Sequence, residues 1–269
     1  MLGLIQGLAE FLPISSSGHL LLAPWLFGWN DFADASVEKS FDVALHLGTL
    51  IAVVAYFGKD FYVFIRDGLR LVVQREKPST PEGRMAWLLV LASIPAALFG
   101  AVFGDLIDEH LGTPVIIAVS LIAFGAVLAW ADRRNGKRGF DQMNRRDAGL
   151  VGLAQVLALN PGTSRSGISM SAALLLGFER NAAARFSFLL SVPVTAGAVA
   201  LKLGSLLKDG IPEGLAIPMV VGILTAGLSG WLAVAGLMRL IRTQSFGVFV
   251  GYRVVLGLSV LVIAASSWR

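Results

Sequence analysis

Six apolar stretches, each close to the length of a membrane-spanning helix, constrain the fold of this 269-residue chain more than any other feature. They cover residues 41–57, 85–104, 113–131, 182–203, 215–237 and 246–265. Hydrophobic residues make up 55% of the chain and charged residues 15%, whereas a soluble domain carries about 25% charged residues. This composition excludes an ordinary cytosolic globule, a disordered tail and a nucleic-acid-binding protein. It predicts an all-α integral membrane protein with six transmembrane helices.

Two further apolar stretches, 2–26 and 148–177, are each interrupted by a polar turn. Pro13 and the serines after it break the first, and an Asn-Pro-Gly turn beginning at Asn160 breaks the second. A helix of about eleven residues rises roughly 16 Å, which is half of a ~30 Å hydrocarbon core. We therefore predict two re-entrant helical hairpins, because non-helical backbone at this depth needs surrounding protein or a wet cavity.

The basic residues predict how the chain is oriented in the membrane. Most of the 22 Lys and Arg residues lie in the connections after the first, third and fifth spans, or at the start of the fourth. The positive-inside rule assigns that face to the cytoplasm. The chain has no cysteine, so redox chemistry does not identify its compartment, and no cleavable signal peptide is expected.

The two interrupted stretches share a sequence pattern that predicts an internal repeat. GLIQGLAEFLPISSSGH begins at Gly3 and GLAQVLALNPGTSRSG begins at Gly152. With one gap, the alignment pairs Gln6 with Gln155, Pro13 with Pro161, and Gly18 with Gly167. Since three spans follow each hairpin, the second repeat must enter the membrane from the opposite side. We therefore predict one membrane domain, 1–269, built from inverted pseudo-repeats 1–131 and 148–269, with its site at their interface.

The first hairpin carries polar groups that are costly in hydrocarbon and are therefore functional candidates. Glu10 lies one helical turn after Gln6, so both side chains share a helix face. The candidate residues of this hairpin are Gln6, Glu10, Ser15, Ser16, Ser17 and His19. Two structural alternatives remain open: Glu10 could form a buried ion pair with Arg165 that only clamps the halves together, and His19 could be a structural histidine.

The second hairpin predicts a phosphate-binding loop. Arg165 is the only cation in this loop, and its planar guanidinium is suited to bidentate recognition of a phosphate. Hydroxyl groups and free backbone N–H groups at the start of a helix add further donors. The candidate phosphate-binding residues are Gly162, Thr163, Ser164, Arg165, Ser166 and Ser169.

The segments QGLAEFLPISSSGH and LNPGTSRSG resemble the two signature motifs of the bacterial undecaprenyl-diphosphate phosphatase family. The similarity extends through FDVALHLGTLIAVVAYF, ARFSFLLSVPV and the Tyr252-Arg253 pair, and so covers nearly the whole chain. The resemblance implies that the terminal phosphate of undecaprenyl diphosphate is removed at the outer face of the cytoplasmic membrane. It also implies recycling of this lipid carrier for peptidoglycan synthesis, and bacitracin resistance.

The resemblance also implies roles for individual residues. The family's acidic residue, histidine and arginine correspond to Glu10, His19 and Arg165, its first-loop serines to Ser15 and Ser16, and its second-loop hydroxyls to Ser164 and Ser166. A divalent cation, Mg²⁺ or Ca²⁺, is implied as cofactor, with Glu10 and Gln6 as candidate ligands. Gln6 stands where many members carry Glu, which weakens a two-carboxylate metal site here. The implied partners are a polyprenyl diphosphate lipid and membrane lipid, with no nucleic acid, and a homodimer is a candidate assembly.

The residues leave three routes of attack on the phosphorus open. His19 could deprotonate Ser16 while Glu10 orients the imidazole, His19 could itself be phosphorylated, or water could attack with His19 as base and Glu10 binding the metal. In each route Arg165 binds the transferred phosphoryl group. Outside this cluster, we predict a helix–helix hydrogen bond for His46, a solvated His110, and an Arg253 that extends to the membrane interface.

Functions of other classes remain as alternatives. A transporter or flippase for a phosphorylated lipid would share the inverted repeat and the broken helices, but it would not need the Ser/His/Glu cluster. Another family of integral-membrane lipid phosphatases also carries a Ser-Gly-His motif. That family is disfavoured because it needs a second histidine near its arginine motif, and no histidine follows His110. A purely structural scaffold leaves Glu10 and Arg165 unexplained.

Overall fold

The computed structural model describes residues 1–29, 35–73, 80–134, 136–209 and 214–266. Within these ranges the chain is helical, apart from turns, loops and one isolated β-bridge between Arg138 and Phe178. The helices are α1 Leu2–Phe11, α2 Ser16–Phe27, α3 Ala35–Tyr56, α4 Gly58–Val73, α5 Pro81–Leu111, α6 Pro114–Asp132, α7 Arg145–Val156, α8 Arg165–Leu175, α9 Arg180–Asp209, α10 Ala216–Leu240 and α11 Gly247–Ala265. The predicted all-α fold is therefore confirmed.

Five of the described helices are long and apolar enough to span a membrane. The qualifying segments are Pro81–Gly104, Pro114–Asp132, Arg180–Ala200, Ala216–Leu240 and Gly247–Ala265, and each overlaps a predicted span. The remaining predicted span lies on α3, which continues into α4 through a bend of 86° at Phe57. Segments Ser40–Tyr56 and Gly58–Arg70 qualify as a sixth candidate only when they are taken together.

Two pairs of short helices occupy the positions predicted for the hairpins. Helices α1 and α2 have 10 and 12 residues, and α7 and α8 have 12 and 11 residues. Such lengths correspond to about half of the hydrocarbon thickness. Ser15 caps the start of α2 by accepting a hydrogen bond from Gly18 N, and Ser164 caps α8 by accepting one from Gly167 N.

The first helix of each pair packs against a long helix from the other half of the chain. Helix α1 packs on α10, and α7 packs on α5. A Cβ atom on Gly7 of α1 would lie 2.5 Å from the carbonyl oxygen of Ala226, and one on Gly152 of α7 would lie 2.5 Å from that of Ala92. Both contacts therefore depend on glycine, because small residues let helix backbones approach closely in a membrane.

The outer surface of the bundle is strongly apolar. Large aliphatic side chains point outward from the long helices, including Leu98 at 61%, Leu224 at 67% and Val262 at 69% exposed. In water such a surface would be an interaction or aggregation site, whereas in a bilayer it faces lipid. The apolar helices and their apolar exterior are consistent with a multi-pass membrane protein.

Candidate active site

The polar turns of the two short helix pairs contact each other inside the molecule. Ser15 Oγ accepts a hydrogen bond of 3.0 Å from Gly162 N, and Ser166 Oγ donates one of 3.0 Å to the carbonyl oxygen of Leu12. These bonds join residues about 150 positions apart in sequence and confirm that the two interrupted stretches meet tip to tip. The meeting point brings together the polar residues that the sequence singles out.

The Glu10 carboxylate is the centre of this cluster, and only 7% of the residue is exposed. Its Oε2 accepts hydrogen bonds from Ser16 Oγ at 2.5 Å and from Gln6 Nε2 at 3.1 Å. Its Oε1 pairs with the guanidinium group of Arg165. A buried carboxylate requires such compensation, because burial of an unpaired charge is costly. The Glu10–Arg165 ion pair that the sequence left open is therefore present, and the same carboxylate also accepts a hydrogen bond from the hydroxyl of Ser16.

Arg165 and Ser16 each occupy the first position of a helix, α8 and α2 respectively. The N-terminus of a helix carries a partial positive charge and unpaired N–H groups, so it favours anions. The side chain of Arg165 is 18% exposed, and its Nη1 also donates to Thr195 Oγ1 on α9 at 3.3 Å. Two helix N-termini and a guanidinium thus converge beside the Ser16–Glu10 pair, which is suited to binding a phosphate.

The backbone is strained at the residue before each of these helices. Ser15 has φ 76° and ψ 96°, and Ser164 has φ 75° and ψ 112°. They are the only non-glycine residues with positive φ in the described part of the chain. Strain of this kind persists where the surroundings impose it, and it is concentrated at functional sites.

His19 has different partners from those expected. Its Nδ1 donates a 2.7 Å hydrogen bond to the carbonyl oxygen of Ser15, and its Nε2 lies 2.7 Å from the hydroxyl of Tyr252. The two rings are stacked, with centroids 5.6 Å apart. The hydrogen bonds of the imidazole do not reach Glu10 or Ser16, so Glu10 orients Ser16 directly instead of orienting His19. His19 nevertheless follows Ser16 by three residues on α2, which places both on one helix face.

Most of the predicted phosphate-binding hydroxyls are buried and already bonded within the protein. Exposure is 4% or less at Ser15, Thr163, Ser164, Ser166 and Ser169. Ser164 and Ser166 share a hydrogen bond of 3.1 Å, and Ser169 Oγ bonds to Arg165 O and to Ser187 Oγ. Ser16 is half-buried and Ser17 is exposed. Direct phosphate contacts by the buried hydroxyls stay a prediction, and so do contacts by Gly162, itself buried against α6.

The prediction for Arg253 is wrong. The residue does not extend to the membrane interface but is fully buried, and all its hydrogen bonds go to backbone carbonyl oxygens. The prediction for His46 is also wrong, because its Nδ1 bonds to Asp42 O in its own helix. Its Nε2 lies 3.8 Å from Glu10 Oε2, so His46 borders the cluster. His110 is solvated as predicted, with its side chain 61% exposed.

The polar cluster offers few ligands for a metal ion. No group of three or more His, Cys, Asp or Glu residues in the described ranges is placed to hold a metal ion. Beside Glu10, however, the buried Oε1 of Gln6 has no hydrogen-bond partner. Mg²⁺ takes about six oxygen ligands and is commonly held by one or two carboxylates together with substrate phosphates and water. Glu10 and Gln6 are therefore the candidate protein ligands for a divalent cation, and such a cation would need further oxygen ligands from water or from a phosphate.

The fold and this cluster together define an integral membrane protein with a buried serine–carboxylate–arginine centre. A family model described as "Bacitracin resistance protein BacA" matches residues 1–259, and the chain belongs to this family. A relative from Elusimicrobium minutum, named undecaprenyl-diphosphatase, is 45% identical over 98% of this chain and 96% of its own length. Relatives with the same name from Moorella thermoacetica and Geobacter sulfurreducens are 46% and 47% identical over 98% and 97% of this chain, covering 95% of each relative.

Proposed function

We propose that this protein is an undecaprenyl-diphosphatase that converts undecaprenyl diphosphate to undecaprenyl phosphate and inorganic phosphate. The family match and the names of its relatives support this activity. The observation that carries the proposal is the 2.5 Å hydrogen bond from Ser16 Oγ to Glu10 Oε2, next to the guanidinium of Arg165. A nucleophile, a base and a phosphate-binding cation are thereby adjacent. The consequence for the cell is recycling of the lipid carrier used in peptidoglycan synthesis.

Ser16 is the nucleophile in this proposal and Glu10 is its general base. Glu10 takes the Oγ proton while Oγ forms a bond to the terminal phosphorus. The bond between that phosphorus and the bridging oxygen breaks, and undecaprenyl phosphate leaves with the bridging oxygen. Water then attacks the phosphorus of the phosphoserine, the bond between phosphorus and Oγ breaks, and Glu10 returns its proton to Oγ. The phosphorus leaves with the oxygen of water as inorganic phosphate, and the second proton of water passes to the phosphate or to solvent. This assignment selects the serine route because the hydrogen bond of Ser16 goes to Glu10 and those of His19 go elsewhere.

Arg165 stabilises the transferred phosphoryl group. In the unliganded arrangement its guanidinium is paired with Glu10. When Glu10 accepts the proton of Ser16, the carboxylate loses its charge and this pairing weakens. The guanidinium then becomes available to the phosphoryl oxygens at the stage when negative charge develops on them. Arginine in such a position contributes ~10³–10⁵ to the rate of phosphoryl transfer.

A divalent cation, Mg²⁺ or Ca²⁺, is part of the proposal. Glu10 and the unpartnered Oε1 of Gln6 are the residues that would hold it. Such an ion neutralises charge on the diphosphate when it is bound. The residues of the chain itself provide the nucleophile, the base and the arginine.

The inverted repeat, the orientation and the location are proposed with the same function. The reciprocal packing of α1 on α10 and of α7 on α5 supports two halves of opposite orientation, and so do the matching conformations of Ser15 and Ser164. The distribution of basic residues supports the orientation of the chain in the membrane, and the family resemblance supports a site open to the outer face of the bacterial cytoplasmic membrane. In this arrangement the polyprenyl tail lies in lipid and the diphosphate enters between the hairpins.

The test is phosphate release from a polyprenyl diphosphate by the purified protein. We expect release by the wild-type protein and a complete loss in Ser16→Ala. Ser259→Ala is the matched control, because Ser259 is exposed and bonds only to a carbonyl oxygen of its own helix. Binding of the lipid without release of phosphate would support a carrier and contradict the proposal.

A second measurement identifies the nucleophile. The terminal phosphate carries a radioactive label, the reaction is quenched rapidly in acid, and the labelled residue is mapped. Label on Ser16 is the expected result. Label on His19, or steady turnover without any labelled protein, would overturn the serine route.

A further inference from the structure

We propose that the consecutive residues Tyr252 and Arg253 of α11 are positioning residues for the phosphatase reaction. Arg253 fixes the two polar turns relative to each other, and Tyr252 fixes the orientation of the His19 ring. This inference rests on the proposed phosphatase function.

Arg253 is an arginine without a carboxylate partner. It is 0% exposed, and no carboxylate of the described residues lies within ion-pair distance of it. Its hydrogen bonds go to the carbonyl oxygens of Pro13, Leu121, Ser120, Gly162 and Thr163 at 2.8–3.4 Å. A buried charge needs such compensation, and here it comes entirely from backbone dipoles.

Three of these carbonyl groups belong to the two polar turns of the site. Pro13 lies in the turn before Ser16, whereas Gly162 and Thr163 lie in the turn before Arg165. A single rigid guanidinium thus bonds both turns at the same time. Because each peptide unit is planar and trans, holding the Thr163 carbonyl toward Arg253 turns the N–H of Ser164 away from it. Arg253 therefore determines that the N–H of Ser164 points away from the guanidinium group of Arg253.

Glycine residues provide the space that Arg253 occupies. A Cβ atom on Gly125 of α6 would lie 3.5 Å from Arg253 Nε, and one on Gly167 of α8 would lie 3.1 Å from its Nη1. The guanidinium therefore lies close to the backbones of both helices. These close contacts favour one defined position of the Arg253 guanidinium group between the two helices.

Tyr252 bonds to the His19 ring on α2. The Ser15 carbonyl can only accept a hydrogen bond, so His19 Nδ1 carries a proton. In the neutral ring Nε2 is then the acceptor, and the hydroxyl of Tyr252 donates to it at 2.7 Å. Since Ser16 and His19 share a face of α2, a phosphoryl group on Ser16 would lie beside this oriented imidazole. Tyr252 thereby holds the imidazole in one orientation beside Ser16, by the hydrogen bond to Nε2 and by the stacked ring, while the Ser15 carbonyl keeps the proton on Nδ1.

Tyr252→Phe is the first test, because phenylalanine keeps the stacked ring and removes only the hydroxyl. We expect kcat for phosphate release to fall about tenfold with KM little changed, which corresponds to one lost hydrogen bond. We also expect the ¹⁵N resonance of His19 Nε2 in the purified protein to shift, because this nitrogen loses its hydrogen-bond donor, while Nδ1 stays protonated against the Ser15 carbonyl. Tyr62→Phe is the matched control, because Tyr62 is 68% exposed and lies on α4.

Arg253→Lys is the second test, because lysine keeps the charge but cannot reach all five carbonyl oxygens. We expect kcat to fall about 100-fold, because displacement of the reacting groups by about 1 Å can have this effect. The elution volume of the detergent-solubilised protein in size-exclusion chromatography should be unchanged. Arg66→Lys is its matched control, since the Arg66 side chain is 51% exposed and pairs with Asp67.

The results separate failure of this inference from failure of the phosphatase function. If the wild-type protein is active, and Tyr252→Phe matches its control in both kcat and the ¹⁵N resonances of His19, the role of Tyr252 is overturned. An active Arg253→Lys variant with wild-type kcat overturns the role of Arg253. A wild-type protein without phosphatase activity contradicts the function alone, because the ¹⁵N resonance of His19 Nε2 can still be compared between the wild-type protein and Tyr252→Phe.

Discussion

Ser15 and Ser164 adopt the same unusual backbone conformation in the two polar turns, with φ values of 76° and 75°. Each side chain also accepts a hydrogen bond from the N–H of the glycine three residues later, Gly18 or Gly167. The two turns are therefore equivalent in backbone shape and in capping, although their side chains differ. Equivalent turns bring the N-termini of α2 and α8 to the site, where both helix dipoles favour a phosphate.

Ser15 differs from Ser164 in also joining the two turns, and this predicts the effect of its removal. Its Oγ accepts hydrogen bonds from both Gly18 N and Gly162 N. Ser15→Ala leaves these two N–H groups without that acceptor, and we expect it to cost about 1–3 kcal/mol of stability. Thermal unfolding in detergent and phosphate release are the measurements, and both should fall.

The control for Ser15→Ala is Ser93→Ala. Ser93 Oγ bonds only to Leu89 O in its own helix, and its loss should change stability by no more than about 0.5 kcal/mol. Equal unfolding temperatures for the two variants would show that the Ser15 bridge does not stabilise the contact between the turns.

The positions of the polar turns could be predicted from sequence because the signals are local. Proline, glycine and clustered serines interrupt two of the apolar stretches. The apolar segments on each side of an interruption are short, and they therefore predict helices that cross about half of the membrane thickness. The same local pattern pairs Gly18 with Gly167, which the structure places in equivalent caps. Glu10 and Arg165 could be singled out because hydrocarbon is costly for charges.

The partners of Arg253 and His19 could not be predicted, because they depend on where α11 lies in three dimensions. Tyr252 is separated from His19 by 233 positions, and the acceptors of Arg253 are backbone carbonyls, which every residue has. The sequence therefore contains no residue type that identifies the hydrogen-bond partners of Arg253. The bend between α3 and α4 could likewise not be predicted, since Gly58 alone is a weak signal of a helix break.

The pair formed by Glu10 and Arg165 predicts different losses for two conservative substitutions. Glu10→Gln keeps the size of the side chain but removes the base for Ser16, and we expect phosphate release to fall about 10²–10⁴-fold. Arg165→Lys keeps the charge but loses the planar fork, and we expect a fall of about 10³-fold. Initial rates with a polyprenyl diphosphate measure both effects.

Glu82→Gln is the control for loss of a carboxylate, because Glu82 is exposed at the start of α5 and lies outside the site. It should retain the wild-type rate. A Glu10→Gln variant as active as Glu82→Gln would exclude Glu10 as the base, and near-normal activity in Arg165→Lys would exclude bidentate recognition by Arg165.

Gln6 predicts how the enzyme responds to the divalent cation. We expect a chelator to abolish phosphate release and Mg²⁺ or Ca²⁺ to restore it. Gln6→Glu places a second carboxylate beside Glu10, and the added charge should lower the half-saturating Mg²⁺ concentration about tenfold. Gln142→Glu adds the same charge at an exposed position and should leave this concentration unchanged. Full activity of the wild-type protein in chelator would contradict the proposed cation.

The packing of α7 on α5 predicts opposite effects for two glycines of the same helix. A Cβ atom on Gly152 would lie 2.5 Å from the carbonyl oxygen and 2.9 Å from the Cα atom of Ala92, whereas one on Gly149 would have no atom within 4 Å. Backbone atoms cannot move aside, so we expect Gly152→Ala to push α7 from α5 and to cost about 1–3 kcal/mol. Gly149→Ala should instead gain up to about 1 kcal/mol from helix propensity.

Thermal unfolding and phosphate release measure both variants. Because α7 carries the turn that leads to Arg165, Gly152→Ala should lower activity as well as stability, and Gly149→Ala should leave activity unchanged. If Gly152→Ala unfolds at the wild-type temperature and keeps full activity, the close contact between α7 and α5 does not position the second turn. The symmetry between this contact and that of α1 with α10 would then have no functional consequence.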